Sequence, residues 1–346
     1  MAKFCSSPWD SVGVYATGEI SSCLCAGWHT WGGGMGNILD NKFVDVFQNQ
    51  NFSTFRESIE DQSFKYCLED QCAKLWDLDE VDDVKAIVKP TLPTWLNVQI
   101  DMNCNLKCGS CRDDIMWEKP ANPTAEKILD RLVEAYQDYD TPVIVQGDGS
   151  GDIFASTAWL NFFKRDDLPK CFQFNLTTNG NLITKNLDVL EKIKDQIFSV
   201  CISFDSATPE TYKIVRGGKF QKLVDAVKAM QDMNIYRVNT SFVTQLRNYR
   251  EVLDHYYMCK ELNINYSGLS RIDRWDHMTD MWYDENKLDN NPRIDYEFLI
   301  PALKFIQQDP KFGLCGGLLE LINRYDSGMA MVKETNNYPT FDIKPS

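Results

Sequence analysis

Three cysteines, Cys104, Cys108 and Cys111, lie on one short stretch of the chain that reads CNLKCGSC. Three thiolates on one loop can hold three irons of a [4Fe-4S] cluster and leave the fourth iron without a protein ligand, whereas a cluster used for electron transfer normally takes four cysteines. Zinc is the alternative, but it needs a fourth ligand, and no further His or Cys lies nearby in the sequence. The spacing therefore favours a cluster with one iron open to a substrate or cofactor.

The element before these cysteines is predicted to be a strand. Residues 95–100 read Trp-Leu-Asn-Val-Gln-Ile, an alternating run of apolar and polar side chains. The cysteines then follow the carboxyl end of that strand, which is where open α/β folds place their chemistry.

The same order of strand, loop and helix repeats along the following part of the chain. Further strands are predicted at residues 142–146, 172–177, 199–204, 237–243 and 264–269, and helices alternate with them. Six such units predict an α/β fold: a partial (β/α)6 TIM-like barrel with a small amino-terminal cysteine-rich cluster-binding domain.

The C-x3-C-x2-C spacing resembles the cluster loop of the radical S-adenosylmethionine (radical SAM) superfamily, whose open iron chelates the amino and carboxylate groups of SAM. Three later runs extend the resemblance: the glycine-rich loop with GSGDIFAS at 149–156, the TNG tripeptide at 178–180, and the segment from Ser203 to Gly218. Two positions depart from the usual pattern. Ser110 replaces an aromatic residue, and Ser150 stands where glutamate is common.

The resemblance implies a SAM pocket at the strand ends. In it the glycines approach the amino group, Ser203 contacts SAM, Arg216 pairs with the carboxylate, and Asn239 is a ribose candidate. A tight turn for the glycines and a surface position for Arg216 are the alternatives. The predicted cofactor-binding residues are Gly147, Gly149, Ser150, Asp152, Thr178, Asn179, Ser203, Asp205, Arg216 and Asn239.

Five more cysteines precede the barrel: Cys5, Cys23, Cys25, Cys67 and Cys72. Their spacing, with Gly18, the Met-Gly-Asn-Ile run at 35–38 and the F-x3-R pattern at 52–56, resembles the SPASM or twitch auxiliary-cluster modules of radical SAM enzymes. Such a module usually follows the barrel, and here it precedes it. The resemblance implies one auxiliary iron-sulfur cluster held by Cys5, Cys23, Cys67 and Cys72. Cys25 replaces Cys23 or is a bystander, and zinc on the same four thiols stays open.

The charge and composition of the chain argue against two kinds of partner, nucleic acid and membrane. The formal net charge of -14 opposes binding to a nucleic-acid backbone, and no apolar run reaches the ~18 residues that a membrane span needs. The amino terminus has no apolar signal core, so we expect a cytoplasmic protein whose 12 cysteines are not a disulfide framework.

Three domains are predicted from these patterns. Residues 1–85 form the auxiliary iron-sulfur domain, residues 90–275 the radical SAM barrel, and residues 276–346 a helical extension, with the charged residues 77–89 as a linker.

The resemblance implies an enzyme that reductively cleaves SAM at the [4Fe-4S] cluster to a 5'-deoxyadenosyl radical, which abstracts hydrogen from a substrate. A reducing partner such as flavodoxin or ferredoxin is expected, and a peptide or protein is the favoured substrate. Radical oxidation or epimerisation of a sugar or other small molecule is one alternative. A non-catalytic iron-sulfur electron-transfer or sensor protein and a zinc-stapled binding module are others, but neither needs the predicted SAM pocket.

Overall fold

A computed structural model describes residues 2–23, 34–67, 72, 75, 78–117, 120–147, 149–274, 278–315 and 317–331. The chain divides into two compact units. The first unit comprises Met1–Leu106, Asp114–Ser203 and Gln221–Val238, and the second comprises Lys107–Asp113, Phe204–Phe220 and Asn239–Ser346.

The strands, in chain order, are β1 (Ala2–Phe4), β2 (Ser11–Tyr15), β3 (Ile20–Ser21), β4 (Asp79–Val81), β5 (Trp95–Gln99), β6 (Val143–Gly147), β7 (Phe172–Thr178), β8 (Ile197–Ser203), β9 (Val238–Thr244), β10 (Tyr266–Arg271) and β11 (Phe312–Leu314). The α-helices are α1 (Ser7–Asp10), α2 (Phe43–Phe47), α3 (Gln50–Glu60), α4 (Pro123–Tyr136), α5 (Thr157–Phe163), α6 (Leu187–Ile193), α7 (Pro209–Arg216), α8 (Phe220–Asp232), α9 (Val252–Glu261), α10 (Asp280–Asn286), α11 (Tyr296–Gln307) and α12 (Gly317–Asp326).

The first unit is built on a sheet in the order β3-β2-β5-β6-β7-β8. All neighbours run parallel except the β2–β3 hairpin, which turns at Gly18 with φ of 81°. The run Val12-Gly13-Val14-Tyr15, followed by a turn at Gly18, predicts a hairpin from sequence alone, and the structure confirms it. The structure also pairs β2 in parallel with β5, a contact that local patterns do not reveal.

One face of this sheet is packed against helices. β5, β6 and β7 alternate buried and half-buried residues, and the buried set includes Phe172 and Phe174 of β7. Phe174 lies 5.2 Å from Phe163 of α5, and Phe172 lies 5.5 Å from Tyr136 of α4, between ring centroids. This aromatic layer fixes the strands and thereby the loops at their carboxyl ends.

A second, two-stranded pair lies in the same unit. β1 pairs antiparallel with β4, with Lys3 opposite Glu80. The prediction of a linker over residues 77–89 is therefore wrong at β4, because a three-residue strand of charged side chains carries no local hydrophobic signal.

The second unit holds the parallel strands β9, β10 and β11. Helix α9 contacts these strands through His255, whose Nε2 atom lies 2.9 Å from Ser267 Oγ of β10. Thr240 Oγ1 of β9 donates to the same oxygen at 2.8 Å. Burial lowers the pKa of His255 to about 3, while a hydrogen bond to Ser206 acts weakly in the other direction. The imidazole is therefore neutral at pH 7.

The fold class matches the prediction. Parallel strands β5 to β10 alternate with helices in the α/β order of a partial (β/α)6 barrel, and a cysteine-rich segment precedes them. The domain boundaries at 1–85, 90–275 and 276–346 stay a prediction. Within the described residues, none of the helices combines the length and apolar character needed to cross a membrane.

Candidate functional site

Cys104 is the predicted cluster ligand that belongs to the first unit, and it is buried just beyond β5. Its backbone N–H donates to the carbonyl oxygen of Met116 at 2.5 Å, which fixes the loop. The side chain of Asn179 donates from Nδ2 to the Cys104 sulfur at 3.7 Å and to Asn105 Oδ1 at 2.9 Å. An N–H group aimed at this sulfur stabilises a thiolate there.

The TNG tripeptide forms the turn that places Asn179. The Thr178 hydroxyl donates to Asp152 Oδ2 at 2.8 Å and accepts from the Gly180 N–H at 3.1 Å. Gly180 adopts φ of 77°, and a Cβ atom there would lie 2.9 Å from Ile202 Cγ2. Glycine is therefore required for both reasons.

Two buried carboxylates join three loops of the first unit. Asp152 Oδ2 also accepts from the Asn179 N–H at 2.6 Å, and the Asp152 N–H donates to the carbonyl oxygen of Asn103 at 2.7 Å. Asp101 Oδ1 accepts from Asn103, and its Oδ2 accepts from Ser156 Oγ at 2.5 Å. Asp101 and Ser156 were not predicted, although Asp101 directly follows a strand, as Asp205 does.

The glycine-rich loop lies against the backbone beyond β5. A Cβ atom on Gly151 would lie 2.4 Å from the carbonyl oxygen of Asp101, so this position admits only glycine. Gly147 ends β6 and is buried, and Gly149 lies near Gln99, with a Cβ distance of 3.4 Å to Nε2. Ser150 lies on the same loop and is half-buried.

In the second unit, Cys108 is buried and Cys111 is exposed. The Cys111 N–H donates to the carbonyl oxygen of Cys108 at 2.9 Å, which tightens the loop between them. Trp282 of α10 packs on this loop, since a Cβ atom on Gly109 would lie 3.3 Å from its Cζ2. Sequence reasoning did not connect Trp282 with the cysteines.

Arg216 lies beside the Cys108 sulfur. Its Nη1 atom lies 3.8 Å from Cys108 Sγ, and its carbonyl oxygen lies 3.7 Å from the same sulfur. Nε donates to Asp205 Oδ2 at 2.8 Å. Burial lowers the pKa of Arg216, but the charges of Asp205 and Cys108 outweigh burial and raise it above its ordinary value. The guanidinium is therefore charged.

Asp205 and Glu251 hold the helix that presents Arg216. Asp205 adopts φ of 54°, and its Oδ1 accepts from the Val243 N–H at 2.7 Å. Glu251 accepts from the Ala207 N–H at 2.7 Å and from the Thr208 hydroxyl at 2.7 Å, at the start of α7. Glu251 has no sequence motif that would have predicted this role.

Two further predicted contacts lie on strands. Ser203 ends β8 and is buried in the first unit. Asn239 lies on β9 in the second unit, and its Oδ1 atom is buried without a hydrogen-bond partner in the described part of the chain. That carbonyl oxygen therefore has unused capacity to accept a hydrogen bond.

The four predicted auxiliary ligands, Cys5, Cys23, Cys67 and Cys72, line one cavity of the first unit. They come from the segments that follow β1, β3 and α3 and from the region beyond Cys67. Cys25 lies outside the described residues. Four thiols from separate segments around one space match the one-thiolate-per-iron requirement of an iron-sulfur cluster. No group of three His, Cys, Asp or Glu side chains suited to a single metal ion occurs within the described ranges.

Arg56, in the predicted F-x3-R pattern, braces the wall of this cavity. Its Nε atom donates to the carbonyl oxygen of Pro8 at 3.1 Å, and its guanidinium lies 4.2 Å from the ring centroid of Phe47. Burial lowers the pKa of Arg56 to about 10, and Glu60 partly offsets this effect. Arg56 therefore packs against Pro8 and Phe47 beside the cysteine-lined cavity.

Both groups of cysteines lie in parts of the chain that match known protein families. The model of the radical SAM superfamily matches residues 100–258, which begin just before Cys104. Residues 100–258 belong to the radical SAM superfamily. A second model, SPASM, described as an iron-sulfur cluster-binding domain, matches residues 5–73. A radical SAM protein uses a [4Fe-4S] cluster and SAM, and the SPASM match brings an auxiliary iron-sulfur site ahead of the barrel, as predicted.

The curated relative that this radical SAM protein matches is distant in sequence. A probable GTP 3',8-cyclase of Methanococcus vannielii is 24% identical over 177 residues, which is 48% of this chain and 54% of that protein. The chain thus spans about half the length of the curated relative it matches.

Among solved structures, Streptococcus suis SuiB bound to its precursor peptide SuiA is similar with a TM-score of 0.50 and 16% identity, over 94% of this chain and 75% of that one. The AdoMet-bound protein anSMEcpe is similar with a TM-score of 0.47 and 18% identity, over 68% and 64%. The likeness to SuiB shows the fold.

Proposed function

We propose that this chain is a radical SAM enzyme that binds its catalytic [4Fe-4S] cluster through Cys104, Cys108 and Cys111 and modifies a peptide or protein. When bound, the cluster and SAM together supply reductive cleavage to a 5'-deoxyadenosyl radical that abstracts a hydrogen atom from the substrate. The protein itself binds, orients and shields the reacting groups.

The observation that carries this proposal is the pairing of the cysteine sulfurs with side-chain N–H donors. Asn179 donates to Cys104 and the Arg216 guanidinium lies against Cys108, in two separately built units. Both sulfurs are buried, and a buried core thiol has no need of a cationic neighbour. Donors placed in this way stabilise thiolates, the form in which cysteine binds iron.

The SAM contacts follow from the groups that remain available. The Arg216 guanidinium has five N–H donors, and those not directed at Asp205 and Cys108 suit a carboxylate. Gly149 and Ser150 offer loop backbone to the amino group, and Ser203 and Asn239 offer oxygens to the nucleoside. The Asp152 carboxylate already accepts from Thr178 and Asn179, so its proposed role is to position that loop beside SAM.

The four cysteines around the first unit's cavity are proposed to hold the auxiliary cluster. It would relay an electron or bind substrate. The proposal of a peptide substrate follows the precursor peptide that SuiB binds, and the GTP 3',8-cyclase relative makes GTP the comparison compound.

Loss of one cluster ligand tests this proposal. The anaerobically reconstituted, reduced protein is expected to release 5'-deoxyadenosine from SAM, measured by liquid chromatography, and Cys104→Ala is expected to release none. Cys171→Ala is the matched control, because Cys171 is a buried thiol whose pKa burial raises to about 11. Equal release by all three proteins, or by none, would contradict the proposal.

A further inference from the structure

The sheet of the first unit has a second face that the helices do not cover. On β5, β6 and β7 the buried residues, such as Val98, Val145 and Phe174, point to the aromatic layer of the helices. Their alternates point the other way, because successive side chains of a strand lie on opposite faces. Asn97, Gln146 and Asn175 are on this second face and are only half-buried.

Four polar residues stand in one row across this face. Strand register places Asn97 opposite Gln146, Gln146 opposite Asn175, and Asn175 opposite Ser199. Asn175 Nδ2 donates to Gln146 Oε1 at 3.1 Å, and the Ser199 hydroxyl donates to Asn175 Oδ1. We call these four residues the amide row.

The next level toward the amino ends of the strands is mixed in character. Trp95 stands opposite Ile144, and Ile144 stands opposite Gln173. A further half-buried carboxamide therefore lies beside the amide row.

The amide row has hydrogen-bonding capacity to spare. Each carboxamide has two N–H donors and an oxygen with two lone pairs, and Asn175 and Gln146 use only part of theirs. The side chains of Asn97 and Gln99 make no hydrogen bond within the described ranges. Half-buried amides without protein partners are groups that a ligand can engage.

The composition of this face decides what kind of ligand fits. Strands β5, β6, β7 and β8 contain no Asp, Glu, Lys or Arg. Barrel interiors are usually filled by branched apolar side chains, so a row of amides is a departure from packing alone. A triphosphate would call for Arg or Lys donors, and none stands on these strands. The complementary ligand is uncharged and rich in both donors and acceptors.

A peptide meets this description most closely. Each peptide group pairs one N–H donor with one C=O acceptor, and a carboxamide side chain can match both at once. We propose that the amide row binds an uncharged segment of the substrate peptide through its backbone and its Asn, Gln, Ser or Thr side chains. This inference rests on the proposed function and adds to it the residues that bind the peptide and the uncharged character of the bound segment.

A binding measurement on the oxidised holoenzyme tests the inference without turnover. The reconstituted protein with SAM would be equilibrated by dialysis against four probes: capped nonapeptides of Gly, Ser, Asn and Gln, capped nonapeptides rich in Asp and Glu, maltohexaose, and GTP. We expect retention of the neutral peptides alone. Asn97→Leu should weaken that retention roughly fivefold, since one hydrogen bond lost is worth about 1 kcal/mol.

Asn161→Leu is the matched control, because Asn161 is exposed on α5 and donates to Glu126. It should retain the neutral peptides like the unchanged protein. Retention of GTP, maltohexaose or acidic peptides in preference to neutral peptides would overturn the inference. So would no retention of any probe, or the same effect from Asn97→Leu and Asn161→Leu. Failure of the proposed function appears separately, as absence of 5'-deoxyadenosine from the reduced protein.

Discussion

Single residues hold the candidate site together through buried carboxylates. Asp101 and Asp152 in the first unit and Asp205 in the second each accept hydrogen bonds from neighbouring loops. All three follow the end of a strand, where backbone N–H groups of the loop need acceptors. The sequence indicates that such residues matter, but their partners depend on how distant loops meet.

Asn179 is expected to tune the potential of the catalytic cluster. Its N–H donor stabilises negative charge on the Cys104 sulfur, so Asn179→Leu should make reduction harder. A loss of about 1 kcal/mol corresponds to a potential lower by about 40 mV for one electron. Potentiometric titration followed by electron paramagnetic resonance measures this shift.

Asn161→Leu serves as the control, because the exposed Asn161 contacts Glu126 and no cysteine. An unchanged potential in Asn179→Leu, with normal iron content, would refute the role given to Asn179.

At the scale of elements, the packing of α9 on β10 is expected to make stability depend on pH. The folded state keeps His255 neutral because burial lowers its pKa to about 3, whereas the unfolded chain protonates near pH 6.5. The unfolded state therefore binds the extra proton as pH falls below 6.5, and stability decreases. Between pH 7.5 and 5.5 the loss from this residue is about 1 kcal/mol.

Urea denaturation at the two pH values tests this expectation. His255→Gln removes the titrating group and should reduce the difference between the two free energies of unfolding by about 1 kcal/mol. An undiminished difference in His255→Gln would show that other groups cause the pH dependence.

The cysteine-lined cavity makes a second prediction at this scale. Cys67→Ala removes one of its four thiols and should lower the iron content from about eight to about four per chain. Cys171→Ala should leave the iron content unchanged, because Cys171 is a core thiol that donates a hydrogen bond to the Tyr136 carbonyl oxygen. Iron and sulfide assays give the counts, and full iron content in Cys67→Ala would argue against this cluster site.

Elements with a strong local pattern were predictable, and elements defined by long-range pairing were not. β5 to β10 lie within two residues of their predicted positions, because runs of apolar and β-branched side chains mark them in the sequence. β4 and β11 have three residues each, and their pairing with β1 and β10 depends on distant parts of the chain. The same reason hid the pairing of β2 with β5.

For the candidate site, the sequence predicted residue types better than contacts. The cysteines, the TNG turn and Arg216 follow from motifs, and Cys5, Cys23, Cys67 and Cys72 do line one cavity. The roles of Glu251 and Trp282 were not predicted, because their local sequence does not indicate that Glu251 contacts the start of α7 or that Trp282 contacts Gly109.

At the scale of the whole molecule, two regions of the chain match two different domain families. Residues 5–73 match an iron-sulfur cluster-binding domain and residues 100–258 match the radical SAM superfamily. The absence of a nucleic-acid partner, expected from the net charge of -14, stays a prediction. A reducing protein such as flavodoxin or ferredoxin stays a prediction, as does a cytoplasmic location.

The proposed chemistry depends most on an open iron in the cluster proposed at Cys104, Cys108 and Cys111. Electron paramagnetic resonance of reduced Cys67→Ala protein, recorded with and without SAM, tests this directly because only that cluster should remain. We predict that SAM changes the spectrum of the reduced cluster, as direct binding to its iron requires. An identical spectrum in the presence of saturating SAM would contradict the account.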